Sequence, residues 1–157
     1  MNAPKGAGAP KGAAARKGAD SRKDAGARKG AGPGVRGLGI DLVDVVRFAQ
    51  IIRRRGRRFL ERVFTPAERA QGKGHPRAAE HFASRFAVKE AVFKALGTGL
   101  VKGLGWEQIE VRSLPSGKPE VRLSGACRKR FRALGATRVH VSLSHTESHT
   151  VAIVMFD

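Results

Sequence analysis

Residues 76–97 read PRAAEHFASRFAVKEAVFKALG. Pro76 suits a first helical turn and Gly97 a helix stop, so the stretch predicts one long helix from about Pro76 to Leu96. Phe82, Phe86 and Phe93 fall on one helical stripe. At about 100° per residue Glu90 lies some 40° from Phe86, inside that apolar sector. A carboxylate there is costly unless a cation neutralises it. Pairing with Lys94 at i,i+4 is the plain alternative and stabilises a helix by only about 0.3–0.5 kcal/mol.

Upstream of this helix, Thr65-Pro66-Ala67-Glu68 has the form of a capping box, with Thr65 as N-cap and Pro66 at the first helical position. Phe59 to Phe64 is a short amphipathic piece. Val43 to Ile52 is apolar at helical spacing and runs into Arg53-Arg54-Arg55. Val35 to Ile40 predicts a strand, with glycines at 37 and 39. Asp41 then falls where the strand meets a loop, a good position for the N-cap of a helix starting at Leu42.

Downstream, Ile109 to Leu114 and Glu120 to Leu123 predict strands around the turn Pro115-Ser116-Gly117-Lys118-Pro119. Ser124 is placed to cap a helix that ends at Leu134-Gly135. Arg138 to Ser144 alternates, with Val139, Val141 and Leu143 on one face, and Val151 to Phe156 is the last strand. Thr146 to His149 would close these two as a hairpin. Helices first and antiparallel strands later predict an α+β domain over 34–157, with an antiparallel sheet packed against helices.

Residues 1–33 are a different object. Lys5, Lys11, Lys17, Lys23 and Lys29 recur every six residues, mostly as Lys-Gly-Ala, and no Val, Ile, Leu, Phe or Trp occurs. Such a segment cannot offset its ordering entropy by burial, so a disordered basic tail is expected. Five Lys and three Arg against two Asp give it +6. The chain as a whole carries +18, so the domain is strongly basic by itself at +12. That balance predicts acidic partners and keeps a nucleic-acid-binding protein in play, with non-specific polyanion binding by the tail. Against nucleic acid as the main function, tyrosine is absent and the aromatics lie at core spacing.

Cys127 is the single cysteine, which excludes an internal disulfide and fits a cytoplasmic setting. Its place at the start of a helix reads as packing. The longest strongly apolar run, Val151 to Phe156, is far too short to span a bilayer, and the basic N-terminus lacks the apolar core of a secretory signal.

Gly39-Ile40-Asp41, followed at a distance by Phe86-Ala87-Val88-Lys89-Glu90-Ala91-Val92-Phe93-Lys94-Ala95, resembles the signature of the phosphopantetheinyl transferases. Leu42-Val43-Asp44 with Arg47, Arg62-Val63-Phe64-Thr65, Ala95-Leu96-Gly97-Thr98-Gly99, Trp106, Gly117-Lys118-Pro119 and Ser142-Leu143-Ser144-His145 are similar to the short, single-domain bacterial carrier-protein synthases. The resemblance runs from about 35 to 157 in order, and the basic tail is its one large departure.

The resemblance implies a 4′-phosphopantetheinyl transferase-like fold. It also implies transfer of the 4′-phosphopantetheine of coenzyme A to a serine of apo acyl carrier protein, with adenosine 3′,5′-bisphosphate leaving. Asp41 and Glu90 match the family's Mg2+ ligands, and magnesium commonly takes one or two carboxylates and leaves its other positions to phosphate and water. Lys94 matches a phosphate-facing lysine, and Lys94, Gly97 and His145 the substrate site. Glu90, directly or through water, is the first choice to accept the serine proton. Arg47 matches an arginine that docks the acidic carrier protein, and Arg53, Arg54, Arg55, Arg57 and Arg58 would extend that patch. The family assembles as homotrimers. A homologue that binds carrier protein without catalysis is the remaining alternative.

Overall fold

The computed structural model describes residues 34–157 apart from 100 and 102. The expectation of a disordered segment over 1–33 lies outside the described residues. Ten elements follow in order: β1 (Gly37–Asp44), α1 (Val45–Val63), α2 (Pro66–Lys73), α3 (Ala78–Ala95), a 3-10 turn (Trp106–Gln108), β2 (Ile109–Ser113), β3 (Pro119–Leu123), α4 (Gly125–Ala133), β4 (Val139–His145) and β5 (His149–Phe156). The α+β expectation holds.

The first strand joins the last two. β1, β5 and β4 form an antiparallel sheet in that order, with Gly37 opposite Phe156 and Asp44 opposite His149. β2 and β3 form a separate two-stranded sheet. The strand expected over Val35–Ile40 therefore starts later and continues to Asp44, because pairing with β5 carries it on. Asp41 lies within it and caps no helix. Asp44 is the N-cap of α1, its side chain accepting from the backbone N–H of Arg47 at 2.9 Å.

α1 does not stop at Ile52. It carries the arginine run through to Val63, with one non-helical residue, Gly56, at φ 59° and ψ −149°. The amphipathic piece from Phe59 is its second half. Thr65 and Glu68 make the capping box in both directions, at 3.3 and 2.8 Å. Ser124 occupies the N-cap position of α4 but makes no side-chain cap. Gln108 does that work instead, its Oε1 accepting from the Cys127 N–H at 3.0 Å.

α3 is the axis of the fold. Val88, Ala91, Val92 and Phe93 are fully buried, covered by the sheet on one side and α1 and β2 on others. Two glycines let β1 lie against it. A Cβ on Gly39 would overlap the carbonyl oxygen of Ala91, and one on Gly37 that of Ala95. Only hydrogen at these positions allows the strand backbone to touch the helix backbone.

Alternation on β1 then places Asp41 on the α3 side and Leu38, Ile40 and Leu42 on the other. Those three are 59%, 58% and 63% exposed, and Ile153 on β5 continues the same outer face. Among the described residues the sheet thus has one face in the core and one apolar face uncovered. Cys127 is buried, as its sequence context predicts.

Candidate active site

Lys89 and Glu90 are neighbours in the Lys-Glu-Ala stretch and leave α3 in different directions. Lys89 is fully buried. Its ammonium donates to Glu68 at 2.8 Å, to the Trp106 carbonyl at 3.0 Å and to the Ile109 carbonyl. Glu68 is buried too, accepting from the backbone N–H groups of Thr65 and Val111. Burial pulls the Lys89 ammonium below its ordinary pKa, and the Glu68 carboxylate opposes that. This pair ties α2, α3 and β2 together. Sequence reading gave Lys89 no role, because nothing in the local pattern says which of two adjacent charges turns inward.

Glu90 turns to a cleft of about 390 Å³. The cleft is lined by Asp41 and Asp44 of β1, Arg47, Phe48 and Ile51 of α1, and Phe86 and Glu90 of α3, with His149 at one end. Burial raises the Glu90 carboxyl above its ordinary pKa; Asp41 raises it further and Lys94 works against both. Lys94 reaches over from the next turn of α3, donating to Asp41 Oδ1 at 2.7 Å and to the Ile40 carbonyl at 2.8 Å. Asp41, Glu90, Lys94 and Arg47, drawn from three elements, therefore share one region.

No group of three or more His, Cys, Asp or Glu side chains suited to a metal occurs among the described residues. Glu90, whose charge the neighbouring Asp41 disfavours, makes with Asp41 a pair of carboxylates that fits a hard cation completing its shell with water and phosphate. They do not fit a dedicated protein cage.

Gly97 and His145 lie elsewhere. Gly97 follows α3 at φ 72°, its N–H bonded to the Lys94 carbonyl at 3.0 Å. His145 ends β4 with its Nε2 3.3 Å from Glu80 at the other end of α3. It belongs to a second cleft, lined also by His75, Arg77, His81 and Arg85. Arg85 is 7% exposed. It donates to Ser113 Oγ at 3.2 Å and to Gln71 Oε1 at 3.4 Å, while its buried Nε has no partner among the described residues. Glu80 and Glu90 are about 15 Å apart along the helix, at 1.5 Å per residue. Sequence reading singled out His145 but gave Arg85 no role.

The profile of the 4′-phosphopantetheinyl transferase superfamily matches residues 37–154. A holo-[acyl-carrier-protein] synthase of Koribacter versatilis is 45% identical over 123 residues, covering 78% of this chain and 98% of its own. The corresponding enzyme of Geobacter sulfurreducens is 42% identical over 121 residues, covering 77% and 96%.

Among solved structures, the holo-[acyl-carrier-protein] synthase of Neisseria meningitidis superposes with a TM-score of 0.73 at 31% identity, over 79% of this chain and 99% of that one. That of Bacillus anthracis, in complex with CoA (3′,5′-ADP), gives 0.65 at 35% identity, over 78% and 96%. On these matches the chain belongs to the 4′-phosphopantetheinyl transferase superfamily, among its holo-[acyl-carrier-protein] synthases.

Proposed function

We propose that this chain moves the 4′-phosphopantetheine of coenzyme A onto a serine hydroxyl of an acidic apo acyl carrier protein, with Mg2+ held by Asp41 and Glu90 and adenosine 3′,5′-bisphosphate released. The observation that carries this is one cleft lined by Asp41 of β1, Glu90 of α3 and Arg47 of α1, with Lys94 paired to Asp41 at 2.7 Å. With magnesium bound, the charge of the pyrophosphate is neutralised where it must be attacked.

The chain's own groups do the rest. The serine oxygen forms a bond to the β-phosphorus as the bond from that phosphorus to the bridging oxygen breaks, and the bisphosphate leaves with the electron pair. Glu90 takes the serine proton on a carboxylate oxygen. Lys94, paired with Asp41, exchanges that contact for a phosphate oxygen and steadies the developing charge. Gly97 offers backbone to the substrate just beyond Lys94.

Coenzyme A carries phosphate away from the reacting phosphorus as well. The second cleft, with Arg77, Arg85 and His145, is the surface of this chain suited to it. The two clefts draw on different stretches of α3, Glu80 to Arg85 for the second and Phe86 to Glu90 for the first. The uncovered apolar face of Leu38, Ile40, Leu42 and Ile153 supports a homotrimer in which one copy's second cleft serves another copy's Asp41–Glu90 cleft. Arg47 and the following arginines of α1 receive the acidic carrier beside the reacting site.

The domain is assigned to 34–157. Residues 1–33 are a basic extension dispensable for transfer that holds polyanions loosely, and the setting is cytoplasmic. No helix among the described residues is long and apolar enough to cross a membrane.

Intact-protein mass spectrometry of an apo carrier protein, incubated with the chain, coenzyme A and magnesium, tests the reading. A gain of one phosphopantetheine is expected, abolished by chelator and by Glu90→Ala and kept by a 34–157 truncation. No gain from folded protein that still binds coenzyme A would overturn it.

A further inference from the structure

A groove of about 840 Å³ lies between β3, α4 and β4 and takes no part in the transfer chemistry. Val121, Leu123, Phe131 and Val139 form its apolar lining. Arg122, Arg128, Arg132 and Arg138 stand around it against a single acidic side chain, Glu120. Glu120 is already paired with Arg122 at 3.2 Å, and Arg138 with Asp157 at 2.8 Å. Arg128 and Arg132 have no acidic partner within ion-pair distance among the described residues, although they are one helical turn apart on α4 and both border the groove. Among the described residues β3 pairs with β2 and β4 with β5, and β3 and β4 lie close to each other at this groove.

We propose that this groove is a docking site for an acidic peptide segment of a partner protein, one that alternates carboxylate and apolar side chains. The carboxylates meet Arg128 and Arg132, and the apolar side chains cover Leu123 and Val139. An extended segment laid along the groove alternates its side chains between the arginine rim and the apolar floor. The same groove of a second copy is the wrong partner, since it would set this arginine rim against another. Nucleic acid would use the rim but leave the apolar floor unmatched. Phe131, buried and packed against Phe156, presents no open face for stacking. The proposal does not depend on the transfer reaction, whose residues lie elsewhere.

The test uses the full chain and three fluorescein-labelled probes: the peptide Gly-Glu-Leu-Glu-Val-Asp-Leu-Glu-Gly, a peptide of equal charge with its apolar residues replaced by Gly, and oligothymidine. Anisotropy titrations at about 150 mM salt keep unscreened charge attraction from dominating. The apolar-acidic peptide should bind at least tenfold tighter than its Gly counterpart. Arg128→Glu/Arg132→Glu should abolish that preference, with Arg128→Gln/Arg132→Gln weakening it. Arg53→Glu/Arg54→Glu on α1 should leave it intact, and phosphopantetheine transfer should be unchanged in the α4 variants. Equal binding of both peptides, displacement of the peptide by oligothymidine, or full binding by the α4 variants would overturn the proposal.

Discussion

Lys94 and Asp41 sit at opposite ends of a 2.7 Å ion pair that joins the edge strand β1 to the central helix α3. Lys94 is half-exposed, so the pair adds little to stability. Its consequence is positional: Asp41 is held facing Glu90 before any ligand arrives. Asp41→Ala should fold with nearly unchanged stability and lose at least ~100-fold in transfer, the scale on which a removed charge-stabilising group is felt. Single-turnover mass spectrometry beside a thermal melt separates the two effects.

The buried pair is the reverse case. Lys89→Met strands Glu68 without its cation and should cost roughly 3–5 kcal/mol. Urea unfolding of Lys89→Met against the double variant Glu68→Gln/Lys89→Met checks this, since the double variant removes the stranded charge and should recover part of the loss. A Lys89→Met protein as stable as the parent would show that the pair contributes nothing.

Gly39→Ala puts a methyl group into the carbonyl of Ala91 and must lever β1 away from α3. Overpacking of this kind costs about 1–3 kcal/mol. Because Asp41 is carried on the same strand, activity should fall more than stability. A melting temperature and a transfer rate measured on the same preparation give both numbers.

His81 is held at a pKa of about 4, first by burial, then by the positive charges of Arg85 and His75. Its folded value is below the unfolded one, so the folded state binds fewer protons. Stability should be full above about pH 6.5, decline as pH falls from there and level off near pH 4. His81→Leu should flatten that decline. Thermal melts from pH 7 to pH 4 test it, and parallel slopes for parent and variant would refute the assignment.

Replacing Arg53, Arg54 and Arg55 by Glu should slow transfer at low salt and matter less as salt rises, because exposed charges beyond a Debye length of about 8 Å are screened at physiological ionic strength. Rates at saturating carrier protein should change little. The salt dependence of kcat/KM is the measurement.

Helix α3, the hairpin β4–β5 and the Thr65 capping box were legible because each is written locally: a Pro start and Gly stop, strict alternation, or a cap residue with its partner three positions on. The end of β1 was not legible. Asp41 and Asp44 are equally good cap residues in isolation, and only the pairing of β1 with β5, more than a hundred residues away, selects Asp44. The Ser124 cap failed similarly, since Gln108 competes for the same N–H from another element. At the site, Asp41, Glu90 and Lys94 could be named from their motif. Arg85, Asp44 and His149 could not, because they enter the clefts through tertiary packing. His145 was named, but its separation from Glu90 along α3 is a fact of the fold that no local pattern carries.

The pairing of β1 with β5 also sets an order of events during synthesis. Asp41 is made early, yet the strand that fixes its register leaves the ribosome after every other element of the described fold. Such long-range pairing is slow to form and is closed last. A growing chain can therefore hold α3, Glu90 and Lys94 in nearly final form while the opposing carboxylate has no fixed place. Catalytic competence should appear abruptly when His149–Phe156 clears the exit tunnel, and a nascent chain stalled before that point should be inert toward coenzyme A.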